Sequence, residues 1–171
     1  GNTLKDLGLL QEAELSYQKA ITLKPNFIEA HSNLGSILSN LGKTKEAEVA
    51  YRKAINLNPN LAVLHYNLGT ILIELGYWKK AEISTRRAIE IQPNFTDAYL
   101  NLGNILKDMG ELQEAELYTR KAIKLKPKFA ESYFNLVNIL KDMGKFQEAE
   151  LAIRKAIELK PEYTEAHHNL E

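Results

Sequence analysis

Within residues 28–61 the apolar positions recur with the period of an α-helix, in two separate stretches. The first stretch contains Ala30, Leu34, Ile37, Leu38 and Leu41, and the second contains Ala47, Val49, Ala50, Ala54, Ile55 and Leu57. Apolar positions three and four residues apart are typical of helices that bury one face. Gly42 separates the stretches, where a left-handed helix end needs a residue without Cβ, and Pro59 stops the second one. The segment predicts two antiparallel helices, A and B, joined by a tight turn.

This two-helix pattern recurs along the whole chain with a period of 34 residues. Two series of residues define the period: Pro25, Pro59, Pro93, Pro127 and Pro161, and Gly8, Gly42, Gly76, Gly110 and Gly144. A period in this range marks stacked helix pairs rather than one globular domain. We expect a single all-α array with full repeats at residues 28–61, 62–95, 96–129 and 130–163. Partial repeats are expected at residues 1–27 and 164–171.

Small residues recur where the two helices of a repeat would have to approach closely. Gly35, Ala47 and Ala54 have counterparts in the next repeats: Gly69, Ala81 and Ala88, then Gly103, Ala115 and Ala122. Glycine inside a helix costs about 1 kcal/mol relative to alanine, so its recurrence predicts close packing. Val137 replaces the glycine in the last full repeat. We expect a slightly splayed helix pair there, with about 1 kcal/mol of overpacking, unless Val137 fills space left by small neighbours.

Two asparagines predict where A helices begin. Asn26 lies three residues before Glu29, and Asn94 lies three residues before Asp97. An asparagine side chain can accept a hydrogen bond from the first turn, while an acid three residues on reaches back to the cap. We therefore expect Asn26 and Asn94 to be N-cap residues.

The order Asn-Leu-Gly, a second glycine seven residues on, Glu-Ala, Lys-Ala and proline resembles the tetratricopeptide repeat (TPR) over the whole chain. The resemblance implies a right-handed superhelical α-solenoid whose A helices line a concave groove that binds peptides or protein segments. The Ala-His-x-Asn-Leu-Gly motif at residues 30–35 is similar to that of O-linked N-acetylglucosamine transferases and bacterial TPR proteins. In those transferases a ladder of asparagines holds the backbone of the bound polypeptide.

The chain departs from the TPR pattern in two aromatic packing positions. The tryptophan frequent early in helix A is replaced by His31, His65, Tyr99, Tyr133 and His167. The aromatic residue late in helix B is kept as Tyr17 and Tyr51 but becomes Thr85, Thr119 and Ile153. Neither change threatens the expected fold. Successive histidines of this position are at least a full repeat apart, and the adjacent His167 and His168 point to different helix faces. We therefore expect packing or surface roles for the histidines rather than metal ligation.

The expected peptide-binding residues follow from the resemblance. The asparagine ladder consists of Asn33, Asn67, Asn101, Asn135 and Asn169, with Asn104 and Asn138 in a second polar position. A carboxamide both donates and accepts hydrogen bonds, so it can pair with the backbone of an extended peptide. Alternatively, the asparagines bond between adjacent helices and set the curvature. Tyr66, Leu100 and Phe134 form an apolar stripe that either anchors a ligand side chain or covers the seam between repeats.

Charge and composition exclude several other functions. Lys plus Arg equals Asp plus Glu at 22 each, which disfavours nucleic acid or an anionic membrane as the main partner. Helix B carries Arg52, Arg86, Arg120 and Arg154, each four residues after a glutamate, so we expect surface ion pairs there. No phosphate-binding loop, nucleophile elbow or metal motif is present, and we expect neither catalysis nor a cofactor. The absence of cysteine fits a cytoplasmic protein.

Three functional interpretations remain open at this point. The first is a non-catalytic scaffold that binds protein or peptide, the second is a substrate-recruiting arm of a larger transferase, and the third is an idealised array without a natural ligand. Residues 1–7 match the second half of an A helix and residues 164–170 the first half. These uncapped half-helices would allow end-to-end self-association.

Overall fold

The computed structural model describes residues 2–161, with side chains from residue 7 onward. Within this part the chain forms nine helices and no strand, so the fold is an all-α solenoid of helix pairs. The helices are α1 (Asn2–Leu23), α2 (Ile28–Asn40), α3 (Thr44–Leu57), α4 (Ala62–Glu74), α5 (Trp78–Ile91), α6 (Thr96–Asp108), α7 (Leu112–Leu125), α8 (Ala130–Asp142) and α9 (Phe146–Leu159). Helices α2, α4, α6 and α8 are the A helices, and α3, α5, α7 and α9 are the B helices.

The chain divides into two compact units, Gly1–Gln92 and Pro93–Glu171. In the first unit α2 packs on α3 and α4 on α5, while α1 packs on α2 and α3 on α4. In the second unit α6 packs on α7, α7 on α8 and α8 on α9. Within each unit a helix therefore packs mainly against its neighbours in the chain, as expected for an array with nearest-neighbour cores.

The turn inside each full repeat is the predicted glycine turn. In the first one the N–H of Gly42 donates to the carbonyl of Ser39, and the N–H of Lys43 donates to the carbonyl of Leu38, both at 2.8 Å. This pair of bonds is the Schellman motif, which satisfies carbonyls left over at a helix end. The backbone of Gly42 has φ of 73°, a value that costs little only without Cβ. The same turn recurs at Gly76, Gly110 and Gly144.

The predicted asparagine caps are wrong. Helix α2 begins after Phe27 and α6 begins after Phe95, and neither helix start has a side-chain cap. Asn26 and Asn94 lie one residue too early, in the turn after each proline. The carbonyl of Phe27 accepts the N–H of His31 at 3.2 Å, so the first helical bond belongs to the phenylalanine.

Helix α1 differs from the expected partial repeat. It runs without interruption from Asn2 to Leu23, so Gly8 lies inside a helix instead of ending one. Residues 2–7 would make under two turns, which is too short for an antiparallel partner. Helix propagation through one glycine costs only about 1 kcal/mol, and the helix continues. The partial repeat expected at residues 164–171 lies outside the described residues.

The close approach of A and B helices is confirmed. The six B-helix alanines predicted at this seam have no exposed surface: Ala47, Ala54, Ala81, Ala88, Ala115 and Ala122. A methyl group added at Gly35 would lie 2.9 Å from the ring of Tyr51. At Gly103 an added methyl would meet the hydroxyl of Thr119. The glycine therefore makes room for the side chain that takes the late-B position.

Val137 and Ile153 occupy these two positions in the last repeat. Both are buried in one apolar cluster with Leu136, Leu140, Ala149 and Ala152. The pair replaces a glycine and a polar side chain by two apolar ones, which fits the view that Val137 fills space. The splay of this helix pair stays a prediction.

The histidines and tyrosines early in helix A hold the end of the preceding helix B. The side chains of His31 and His65 bond the carbonyls of Pro25 and Pro59 through Nε2, at 2.8 and 2.9 Å. A carbonyl only accepts, so Nε2 carries the proton in both rings. The hydroxyls of Tyr99 and Tyr133 donate to Pro93 and Pro127 at 3.2 and 3.0 Å. The expected packing role is therefore a hydrogen bond to the proline carbonyl in the turn after the preceding helix.

Candidate functional site

The expected ladder asparagines lie on the A helices of both units. Asn33 and Asn67 belong to the first unit, and Asn101 and Asn135 belong to the second. Asn33 is exposed, whereas the other three are half-buried. Asn169 lies outside the described residues.

In the first unit Asn67 is tied into a polar cluster. The phenol of Tyr51 is 3% exposed and forms hydrogen bonds with the side chains of Ser36 and Asn67. Burial raises the pKa of Tyr51, and the Glu74 carboxylate adds to this rise, while the two hydrogen bonds oppose it. Because Tyr51 lies on α3 and Asn67 on α4, this asparagine bonds between adjacent helices. The contact fits the alternative in which the asparagines bond between adjacent helices and set the curvature.

In the second unit the equivalent asparagine lacks this partner. Thr119 stands two periods after Tyr51. Its hydroxyl is fully buried and makes no hydrogen bond in the described structure. Within the described residues, the side chains of Asn104, Asn135 and Asn138 form no hydrogen bond either, and all three are half-buried. Their carboxamides are therefore available to an external donor or acceptor.

The expected apolar stripe is only partly accessible. Tyr66 is half-buried, and Leu100 is 7% exposed, so the leucine offers little surface to a ligand. Phe134 is half-buried and packs against the cluster around Leu136 and Val137. Phe134 therefore covers a seam within its unit, as the structural alternative expects, while part of its ring faces solvent.

The B-helix arginines form the expected ion pairs. Arg52–Glu48 and Arg86–Glu82 close at 2.8 Å, and Arg120–Glu116 and Arg154–Glu150 at 2.7 Å. Burial alone would raise the pKa of Glu82, but hydrogen bonds from Lys79 and Arg86 outweigh it and hold this pKa below its ordinary value. These contacts neutralise the basic positions that an RNA-binding array would need.

Some ion pairs connect neighbouring repeats, which the sequence analysis did not anticipate. Lys43 reaches Glu14 at 2.7 Å, and Lys145 reaches Glu116 at 2.6 Å. Burial would raise the pKa of Glu116, yet hydrogen bonds from Lys145 and Arg120 lower it overall. In both repeats the lysine directly follows the turn glycine. Its recurrence at this position was the sequence signal that could have predicted these ion pairs.

Among the described residues no group of three or more histidine, aspartate or glutamate side chains could hold a metal ion. None of the helices between residues 2 and 161 is both long and apolar enough to span a bilayer.

Comparison with known sequences decides the family. Tetratricopeptide repeat models match residues 28–61, 62–95, 96–129 and 130–163, and a TPR repeat model matches residues 1–42. The chain belongs to the tetratricopeptide repeat family. The TPR array accounts for the period, the helix pairs and the small-residue positions together. No curated protein matches the sequence.

Solved structures with the same fold include other TPR proteins. The crystal structure of MamA aligns with a TM-score of 0.85 and 26% identity, covering 96% of each chain. The crystal structure of YrrB, described as a TPR protein with an unusual peptide-binding site, aligns with a TM-score of 0.81 and 27% identity. That alignment covers 98% of this chain and 87% of YrrB. MamA from Desulfovibrio magneticus RS-1 aligns with a TM-score of 0.84 over 91% of this chain and 88% of its own, but its 22% identity shows the fold alone.

Proposed function

We propose that this TPR array is a non-catalytic scaffold that binds an extended segment of a partner protein along its A helices. The unpaired carboxamides of Asn104, Asn135 and Asn138 carry the proposal. A half-buried carboxamide without a partner inside the protein can donate to a backbone carbonyl of a ligand and accept from its N–H. Membership of the TPR family and the similarity to YrrB, whose structure is described by a peptide-binding site, add support.

The spacing of the ladder suits a peptide backbone. Neighbouring packed helices lie about 8–10 Å apart, and an extended chain advances about 3.3 Å per residue. Asn101 on α6 and Asn135 on α8 would therefore hold roughly every third residue of the ligand. Because backbone groups are the same in every residue, such contacts bind many sequences. The exposed parts of Tyr66 and Phe134 would add preference for an apolar side chain.

A peptide array tests this proposal directly. Unstructured peptides of varied sequence are probed with the full chain and with the triple variant Asn104→Ala/Asn135→Ala/Asn138→Ala. We expect the triple variant to lose at least about tenfold in signal for most bound peptides, because each lost amide removes a hydrogen bond to the ligand. Circular dichroism confirms that its helices remain.

Two single variants serve as matched controls. Asn40→Ala changes an exposed asparagine outside the ladder, and Asn67→Ala changes the one that bonds Tyr51. Both should keep peptide binding. Undiminished binding by the triple variant would make the asparagines structural. Absence of binding by every protein would favour an idealised array without a ligand.

The cytoplasmic location, which rests on the absence of cysteine, and end-to-end self-association both stay predictions.

A further inference from the structure

Helix α1 and the four B helices carry an apolar residue on their surface at one recurring position. The residues are Leu15, Val49, Ile83, Leu117 and Leu151, and each follows the previous one by 34 positions. Their exposed fraction ranges from 50% for Leu117 to 70% for Leu151. The apolar pattern of the sequence predicts Val49 on the buried face of helix B, but in the structure Val49 is exposed. Single exposed aliphatic residues are common, but one in every repeat forms a continuous chemical feature.

Three of these residues line grooves between successive helices. Val49 lines a groove between α1 and α3, Ile83 one between α3 and α5, and Leu151 one between α7 and α9. Their volumes are about 470, 780 and 400 Å³. In each unit the helices that form the groove walls are separated by an A helix, which supplies the floor. The grooves are formed by equivalent residues of successive repeats.

The largest groove has an apolar interior. Leu68 and Leu72 of α4 form its floor, and Ile55 of α3 and Ile83 of α5 form its walls. His65 also faces it, with its ring held by the Pro59 carbonyl. In the second unit the corresponding groove has Leu136 and Leu140 below and Ile123 and Leu151 at the sides. This composition matches the core of a docking site more than a solvated face.

The rims of these two grooves are basic although the chain is neutral. Arg52, Lys80 and Arg87 border the groove between α3 and α5, with Glu90 as the only acid among its lining residues. Arg120, Lys124 and Lys155 border the one between α7 and α9, with Glu148 as the only acid in its lining. Four of these six cations pair with glutamates, so the uncompensated basic charge of each rim is one lysine; the paired residues are Arg52, Arg87, Arg120 and Lys155. Within the described residues, however, Lys80 and Lys124 form no ion pair.

We propose that the grooves between α3 and α5 and between α7 and α9 each bind an amphipathic helix with aliphatic anchors and flanking acidic residues. The B helices have 14 residues, which corresponds to about 21 Å, so a groove can take about four turns of a partner helix. The described structure has no sheet edge that an extended strand could join, whereas an apolar groove with charged rims is the usual receptor for a helix. This site is separate from the A-helix asparagines.

A designed helical peptide tests the proposal. The probe is a fluorescein-labelled 18-residue peptide (about 27 Å as a helix) built from alanine, leucine and glutamate, with leucines on one face and glutamates beside them. Its affinity for the full chain is measured by fluorescence anisotropy. The variant Ile83→Glu/Leu151→Glu should bind at least about tenfold more weakly, since it removes the exposed anchors and repels the acidic probe.

The chain offers a matched control for this variant. Val63→Glu/Phe146→Glu adds the same two charges, one in each unit, at exposed apolar positions that do not line these grooves. It should bind as the unchanged chain does. A probe with lysine in place of glutamate should bind at least about tenfold more weakly, because the rims are basic. The variant Asn104→Ala/Asn135→Ala/Asn138→Ala should leave binding of the helical probe unchanged, which separates this site from the proposed peptide face.

Several results would overturn the proposal. They are equal weakening in the groove variant and its control, equal or tighter binding of the lysine probe, and no binding of the acidic probe at millimolar concentration. Analytical ultracentrifugation of the unchanged chain measures whether it self-associates. Self-association that Ile83→Glu/Leu151→Glu abolishes would assign the grooves to a second copy of the chain instead.

Discussion

The repeats at residues 28–61 and 96–129, one in each unit, fill the same A–B seam with different side chains, and the difference changes what the following asparagine can do. In the first unit Tyr51 fills the space opposite Gly35 and reaches Asn67. In the second unit Thr119 lies opposite Gly103, and its hydroxyl remains buried without a partner. Asn135 therefore keeps its carboxamide free where Asn67 does not. Tyr51 on α3 thus contacts the asparagine of the next helix, whereas Thr119 on α7 leaves Asn135 available to a ligand.

The largest effect is expected from removal of the Tyr51 ring, which distinguishes the repeat at residues 28–61. Tyr51→Ala should lower the free energy of unfolding by about 3–5 kcal/mol, because it leaves a cavity beside Gly35. Thr119→Ala should cost far less, since the threonine hydroxyl it removes is unsatisfied. Urea denaturation followed by circular dichroism measures both. Equal losses at the two positions would show that the seams are alike and would remove the basis of the comparison.

A smaller effect should follow from closing the seam of the second unit. A methyl group at Gly103 would overlap the hydroxyl of Thr119, so Gly103→Ala should destabilise the protein by about 1–3 kcal/mol. In a chain that also carries Thr119→Ala the clash disappears. There the same change should stabilise by about 0.5–1 kcal/mol, because alanine is the better helix former.

The double-mutant cycle is read from the same urea curves. A change of sign between the two backgrounds would identify Thr119 as the reason for the glycine. If Gly103→Ala destabilises the protein equally with and without Thr119→Ala, the added methyl group clashes with the backbone instead. The nearest backbone atom is the carbonyl oxygen of Ala115, at 3.4 Å from the added methyl.

The smallest effect concerns two glutamates, the buried Glu82 and the half-buried Glu116, which each unit pairs differently. Glu82 bonds Lys79 and Arg86 of its own helix, whereas Glu116 also bonds Lys145 of the next repeat. Both pKa values lie below the ordinary value of 4.5. In the folded state each glutamate binds its proton less readily than in the unfolded chain. The stabilisation is therefore complete above about pH 5 and is lost as the pH falls through the folded pKa.

Urea midpoints between pH 7 and pH 3 measure this contribution. Glu116→Gln and Glu82→Gln should each reduce the loss of stability on acidification, by less than about 1 kcal/mol. Glu150→Gln changes an exposed glutamate with an ion pair inside one helix and should alter the profile little. A profile that none of the three substitutions changes would assign the acid sensitivity to other carboxylates.

Local chemistry made much of the fold predictable from the sequence. The period, the helix pairs, the positive φ at Gly42 and the ion pairs four residues apart each depend on neighbours within one repeat. The asparagine caps failed because the sequence pattern locates a helix start only to within a residue or two. The continuous helix α1 was missed because the repeat pattern assigned Gly8 a turn that needs a full antiparallel partner.

The candidate sites were predictable only as sets of positions. The ladder was named from the sequence, but nothing local separates Asn67 from Asn135, since the distinguishing residue lies 16 positions earlier on another helix. The exposed aliphatic position on the B helices was visible as a regular series. Periodicity alone placed Val49 with the buried residues, because a helix face is defined only by what packs against it.

By itself the sequence determined the array: its period of 34 residues, its turns, its helices and the small residues where helices meet. These follow from backbone sterics and from interactions three to five residues apart, which every repeat contains. Tertiary structure alone decided which side chain fills each glycine gap, which asparagine keeps a free amide and which apolar positions face solvent. Those properties depend on contacts between helices, and such contacts form only when neighbouring repeats stack.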